Sequence, residues 1–267
     1  MTRTRLGTAL TVVAVLAAGA CSSDGAGSGA TGGDCLPVTA LVASSFAPVL
    51  RDPAVNPCAG KWQVSSGSST ALAAQVREGA PADVFLSAGT AAVDGLEADG
   101  FTTGEPMQLG SVRGTLLVAP SAMVGSLQEL PGKVRAGWKV GLCVPSAPCG
   151  AMADSLLSNA GEVWGAGFDR TAVAATEAAS AEDLLAKVTT GEIDAAITYE
   201  YVCSTRSNAE TAVRCVDIPD TVDGSTLNVR TPYVAVQLRH GEAAVSFMRF
   251  VTSAPFRAVI AERMRVS

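Results

Sequence analysis

Histidine is almost absent from this chain: His240 is the only one in 267 residues. It sits between Arg239 and Gly241, in what reads as an exposed turn. No G-x-S-x-G elbow occurs, and Cys149 has no base partner evident in the sequence. A serine or cysteine hydrolase therefore lacks its parts, and no enzyme is expected. The cysteines contain no C-x-x-C pair, which with a lone histidine speaks against a zinc site. Aromatic residues make up only 5% of the chain and no basic block interrupts it, so a nucleic-acid surface is not expected. No apolar run approaches the length of a membrane span, and no internal repeat is evident.

What is present starts at the N-terminus. Arg3 and Arg5 precede the apolar stretch Leu6–Ala20, and Leu16-Ala-Ala-Gly-Ala-Cys21 ends it. This resembles a bacterial lipoprotein signal, so residues 1–20 read as a signal peptide and Cys21 as the lipidation site. Ala18 stands where such signals usually carry leucine, and an ordinary cleaved secretory signal is the alternative. Residues 21–33, rich in Gly, Ser and Ala, read as a flexible tether. Removing residues 1–20 takes away two arginines and no acid, moving the formal charge from −6 to −8. A chain this negative has to hold an anion through local dipoles, because its long-range field repels one.

With Cys21 assigned to lipid, six cysteines remain, an even number that in an exported chain implies disulfides. They fall into three local couples, Cys35–Cys58, Cys143–Cys149 and Cys203–Cys215, which is the expected pairing. Each bridge is worth roughly 2–4 kcal/mol through its restriction of the unfolded chain.

Beyond residue 34 the pattern alternates between short apolar strands and amphipathic helices. Strands are expected at 38–43, 62–66, 83–87, 115–118, 138–143, 173–176, 193–199, 213–218 and 233–238. Helices are expected around 46–50, 70–78, 91–98, after Gly150, after Ser180 and from about 241 to 264. This alternation implies an α/β fold with mainly parallel sheets. The stretch Ser65–Ser87 is the most informative. Ser68, Ser69 and Thr70 crowd the start of a helix whose Leu72 and Val76 share a face, and Gly79 stops it. Taken alone, such hydroxyls are ordinary N-caps. The same arrangement recurs at Ser44-Ser45, Cys149-Gly150 and Ser180-Ala181, each at a strand-to-helix junction. In open α/β sheets ligands bind at that end of the strands, where unpaired N–H groups suit an anion. Tyr199, at the end of its strand, is placed to join them or else to be a half-buried core tyrosine.

Several of these segments together resemble the periplasmic molybdate-binding proteins of ABC importers. The resemblance rests on Ala43-Ser44-Ser45-Phe46, on Gly67-Ser68-Ser69, on Gly79-Ala80-Pro81-Ala82-Asp83-Val84-Phe85, on Gly191 to Tyr199 and on Pro232-Tyr233-Val234-Ala235-Val236. It spans nearly all of residues 36–264 and implies a two-domain, Venus-flytrap fold. Domain 1 would comprise 34–112 plus about 238–267, and domain 2 residues 113–237. It also implies a site for molybdate or tungstate, held as the oxyanion by Ser45, Ser69, Tyr199 and the backbone N–H groups of Cys149 and Ala181. No further cofactor is implied. The partners would be the ABC permease and, through the lipid anchor only, the outer face of the cell membrane, with the protein itself a monomer. With donors only, such a site suits a fully deprotonated oxyanion.

Three departures from the family pattern stand out. Gly141-Leu142-Cys143 plus one extra residue stands where the family has a Gly-Asp-Pro, the aspartate that often follows the tyrosine is missing from Glu200-Tyr201-Val202-Cys203, and Met264 to Ser267 replaces a terminal Gly-Phe. A binder of sulfate, phosphate or ferric iron on the same fold is the alternative. Tyr199 and Tyr201 are the residues an iron site would use, since phenolates suit a hard cation.

Overall fold

The computed structural model describes residues 35–204 and 213–267. The expected signal segment 1–20, the lipidation site Cys21 and the tether 21–33 lie outside the described residues.

The first part of the chain runs β1 (Val38–Ala43), a 3-10 turn (Ser44–Phe46), α1 (Ala47–Arg51), β2 (Trp62–Gly67), α2 (Ser69–Arg77), β3 (Val84–Ala88) and α3 (Ala91–Ala98). A long strand β4 (Met107–Val118) follows, then α4 (Leu130–Arg135), β5 (Val140–Cys143), α5 (Pro148–Trp164), α6 (Arg170–Val173), β6 (Ala174–Ala178), α7 (Ala181–Thr190) and β7 (Ala195–Tyr199). The remainder is α8 (Tyr201–Ser204), β8 (Arg214–Val216), a small hairpin of β9 (Thr221–Val222) and β10 (Ser225–Thr226), β11 (Arg230–Gln237), α9 (Glu242–Val251) and α10 (Ala254–Met264).

The strands order as β2-β1-β3-β11-β4-β7-β5-β6, with β8 also on β4. Pairs β1–β2, β1–β3, β5–β6 and β5–β7 are parallel, as the strand–helix alternation requires. The strands β1, β3 and β7 are apolar along nearly their whole length because helices cover both faces. On one face of the first sheet Leu72, Ala73 and Val76 of α2 meet Leu41, Phe85 and Leu96.

Strand β4 belongs to both halves. Its first part pairs with β11, from Met107–Ala235 to Arg113–Arg230, and its second with β7, from Gly114–Tyr199 to Val118–Ala195. It is longer than the expected 115–118, because residues 107–113 are polar and glycine-containing and carry no apolar run. Strand β11 pairs with β3 through Tyr233–Ala88 and Gln237–Val84. The chain is therefore back in the first sheet from Arg230, earlier than the expected return near residue 238. The reason is burial: Tyr233 to Val236 is covered on both faces, which only the interior of a sheet provides.

The two crossings between halves are tied together by one side chain. Asn228, 6% exposed, accepts from Gly114 N (3.0 Å) and Val229 N (2.8 Å) and donates to Gly114 O (3.0 Å) and Ile218 O (2.7 Å). A Cβ at 114 would lie 2.8 Å from Leu156 Cδ1 and 3.0 Å from Asn228 Oδ1, so these packed side chains would have to shift. Strand starts are also clipped, once in each half. Thr39 N donates to Asp83 Oδ2 and Asp83 N to Thr39 O, both at 2.8 Å, joining the beginnings of β1 and β3. Lys139 N donates to Asp194 Oδ2 at 2.8 Å and Asp194 N to Lys139 O at 2.9 Å, joining β5 and β7. Replacing Asn228 with Ala strands several buried backbone groups and should lower unfolding free energy by about 2–3 kcal/mol in a denaturant titration.

Candidate functional site

The registers bring the four helix starts to one place. Ala43 lies beside Gly67 at the ends of β1 and β2, so Ser44-Ser45 and Ser68-Ser69 emerge side by side. Cys143 lies beside Ala178 at the ends of β5 and β6, so the loop to Cys149 and the turn to Ser180 emerge together. Between them is a cavity of about 30 Å³ lined by residues that include Ser45, Ser69, Cys149, Ala181, Glu182 and Tyr199. A single water needs roughly 10–15 Å³ on this scale, so the space suits one small polyatomic ion. All five residues expected at the ligand, Ser45, Ser69, Cys149, Ala181 and Tyr199, are thus on its wall.

Each start presents N–H groups for a local reason. Ser68 caps α2 by accepting from Ala71 N at 3.3 Å, and Ser180 caps α7 by accepting from Asp183 N at 3.1 Å. Both caps satisfy a later N–H and leave the earliest ones pointing outward. At α5, Pro148 occupies the first turn and has no N–H, so Cys149 supplies the first one. Gly150 N donates to Ala147 O at 2.9 Å, which takes it out of the set of free donors. Glycine is nonetheless required there, because a Cβ would lie 2.0 Å from Val144 O. Ser69 is 1% exposed and its Oγ accepts from Ala88 N at 2.9 Å, which orients the oxygen and leaves its proton for the cavity.

Tyr199 is buried, and its hydroxyl has no hydrogen-bond partner among the described residues. Burial pushes this phenol well up from its ordinary value; the Thr231 side chain nearby offsets this slightly without a bond of normal geometry. Tyr201 and Tyr233 are likewise buried and raised, chiefly by desolvation. Two of the three tyrosines, Tyr199 and Tyr201, line this cavity as neutral phenols, and Tyr233 lies behind it. The rings of Tyr199 and Tyr201 stack at 6.0 Å, although Tyr201 lies past the end of the strand.

Four contacts around the site were not read from the sequence. Tyr201 OH donates to Glu182, whose carboxylate lines the cavity, so the wall is not made of donors only. Thr70 Oγ1 donates to Ser146 O at 2.6 Å, bridging the start of α2 and the loop before α5. Arg170 stands behind that loop, donating to Cys143 O at 2.9 Å while pairing with Asp154 and Glu177. Tyr233 packs on Phe46 edge-on at 4.6 Å. Thr70 was read only as part of the hydroxyl cluster at its helix start, Tyr201 only for an iron site and Tyr233 only within a family-like segment, while Glu182 and Arg170 carried no reading. The three cysteine couples are each joined: Cys35–Cys58, Cys143–Cys149 and Cys203–Cys215. The second closes the loop that presents Cys149.

Comparison with known proteins agrees with this geometry. Residues 38–263 match the family described as bacterial extracellular solute-binding protein. The chain belongs to that family. It is 31% identical over 192 residues to the molybdate-binding protein ModA of Mycobacterium tuberculosis H37Rv, covering 72% of this chain and 68% of the relative. The resemblance to molybdate-binding proteins seen in the sequence is borne out. Among solved structures, the periplasmic molybdate-binding protein of Azotobacter vinelandii superposes with a TM-score of 0.64 at 20% identity, over 85% of this chain and 97% of that one. The sulfate-binding protein SubI of M. tuberculosis H37Rv gives 0.66 at 17% identity, over 85% of each chain. Both show the two-domain binding-protein fold.

Ser45→Ala and Ser69→Ala should each weaken oxyanion binding by about 1.5–3 kcal/mol, as expected for a lost bond to a charged group. They should differ in the empty protein. Ser69→Ala strands Ala88 N–H and lowers the melting temperature, whereas Ser45→Ala leaves it nearly unchanged. Calorimetric titration and a thermal melt of each variant separate the two effects.

Proposed function

We propose that this solute-binding protein captures molybdate or tungstate for an ABC importer. The observation that carries the reading is the unpartnered Tyr199 hydroxyl, buried in a cavity of oxyanion size where four helix starts meet. Ser45, Ser69 and Tyr199 would donate through hydroxyls, and Cys149 and Ala181 through backbone N–H, all to oxygens of the ion. No separate cofactor is needed. Because the last two contacts are backbone, their unusual side chains do not weaken them. The Cys143–Cys149 bridge holds the first of these donors in place before the ligand arrives, which reduces the ordering cost of binding. The two phenols on the wall, Tyr199 and Tyr201, are kept neutral by burial and are not phenolate ligands. Iron loading should accordingly give no visible tyrosinate charge-transfer band.

In the same reading Cys21 carries a lipid that tethers the monomer to the outer face of the membrane, and the closed form delivers its ligand to a permease. Mass spectrometry of the membrane-associated protein tests the lipid directly.

Calorimetry with molybdate, tungstate, sulfate, phosphate and Fe(III) side by side tests the ligand. Molybdate and tungstate should bind at least about a hundredfold more tightly than sulfate, a difference of roughly 2.7 kcal/mol. Equal affinity for sulfate would remove molybdate as the assigned ligand. The double variant Cys143→Ser, Cys149→Ser should fold normally and bind more weakly; unchanged affinity would deny the bridge this role.

A further inference from the structure

Glu182 is the one acidic side chain on the wall of a cavity otherwise built of donors. It is half-buried at the second position of α7, and its carboxylate accepts from Tyr201 OH. Among the described residues no lysine or arginine pairs with it. Among the described residues, the elements around it bring no spare positive charge. Tyr199 of β7, Tyr201 of α8 and Tyr233 of β11 all sense the Glu182 charge and are themselves neutral. Arg113 of β4 is held by Asp217 and Asp220, and Glu177 of β6 by Arg170. Asp194, before β7, is occupied by Lys139 N. On α7 itself Lys187 pairs with Glu192, and Asp183 adds a further negative charge at the helix start.

A dianion placed in this cavity meets a carboxylate that no cation among the described residues offsets, in surroundings that screen charge poorly. Two acceptors facing each other have no hydrogen bond to make; a single proton between them converts that repulsion into a charge-assisted bond. We propose that the cavity takes its oxyanion together with one proton, lying between an oxygen of the ion and the Glu182 carboxylate. The proton comes from solvent, the O–H bond forms at one of those two oxygens, and nothing is oxidised or reduced. Glu182 thereby becomes a specificity-determining residue, favouring oxyanions that share a proton readily over those that do not. This rests on the oxyanion reading of the same site.

The test is titration of the purified protein with molybdate and tungstate at pH 6.5 and 8.5, in buffers of different ionisation enthalpy. The bound state holds one more proton than the separated partners, so affinity falls as pH rises, by about tenfold per unit where coupling is complete. The wild type should take up close to one proton per ion. Glu182→Gln should take up none, show a flat pH profile and bind more tightly than the wild type at pH 8.5. Tyr201→Phe, which removes the neighbouring donor and keeps the carboxylate, should retain the uptake; its loss there would move the proton off Glu182 and overturn the assignment. Tight binding by the wild type with no proton uptake would overturn this proposal and leave the oxyanion reading intact. No binding of either ion would overturn the oxyanion reading itself. A thermal melt of each variant confirms that it is folded.

Discussion

The cleft depends on strand β4 being shared. One continuous strand pairs with β11 in the first half and with β7 in the second, and Tyr199 sits opposite Gly114 at the changeover. The Asn228 amide grips Gly114 from both its N–H and its C=O, and ties in Ile218 as well. Since the two faces of the cavity come from different halves, their spacing is set here. A site whose donors are short hydroxyls and backbone N–H groups tolerates little error in that spacing, because hydrogen bonds weaken steeply outside a narrow range.

The electrostatic design follows from the negative charge of the whole chain. Full positive charges are kept off the cavity wall. Arg170, the nearest cation behind the Cys149 loop, is neutralised by Asp154 and Glu177 and spends its remaining donors on loop carbonyls. Attraction for the ligand then comes from helix ends, whose partial charges act only within a turn or so. Such a site selects by contact and fit, since a distant anion is repelled and a poorly fitting one gains little.

Much of this was legible because it is local. Ser68 and Ser180 announce helix starts, and Leu72 with Val76 shows which face is buried; the helix expected after Gly150 starts two residues earlier, at Pro148. The six cysteines pair within short loops, so spacing alone suggested the couples. What escaped the sequence depends on register or on long-range approach. Thr70 reaching Ser146, Arg170 reaching Cys143 O and Asn228 reaching Gly114 join residues far apart in the chain, and nothing local marks them. The Gly150 N–H looked available and is consumed by the 3-10 closure of its own helix start. Glu182 carried no reading in the sequence, and only the assembled fold shows it on the cavity wall.

The family-like acids Asp83 and Asp194 look at first like candidates for ligand contact. Each instead clips the beginnings of two neighbouring parallel strands, at the end of the sheet remote from the cavity. Both halves are thus fastened at the heel of the sheet, away from the cavity. Loosening either clamp would disturb strand alignment without touching the ligand's surroundings.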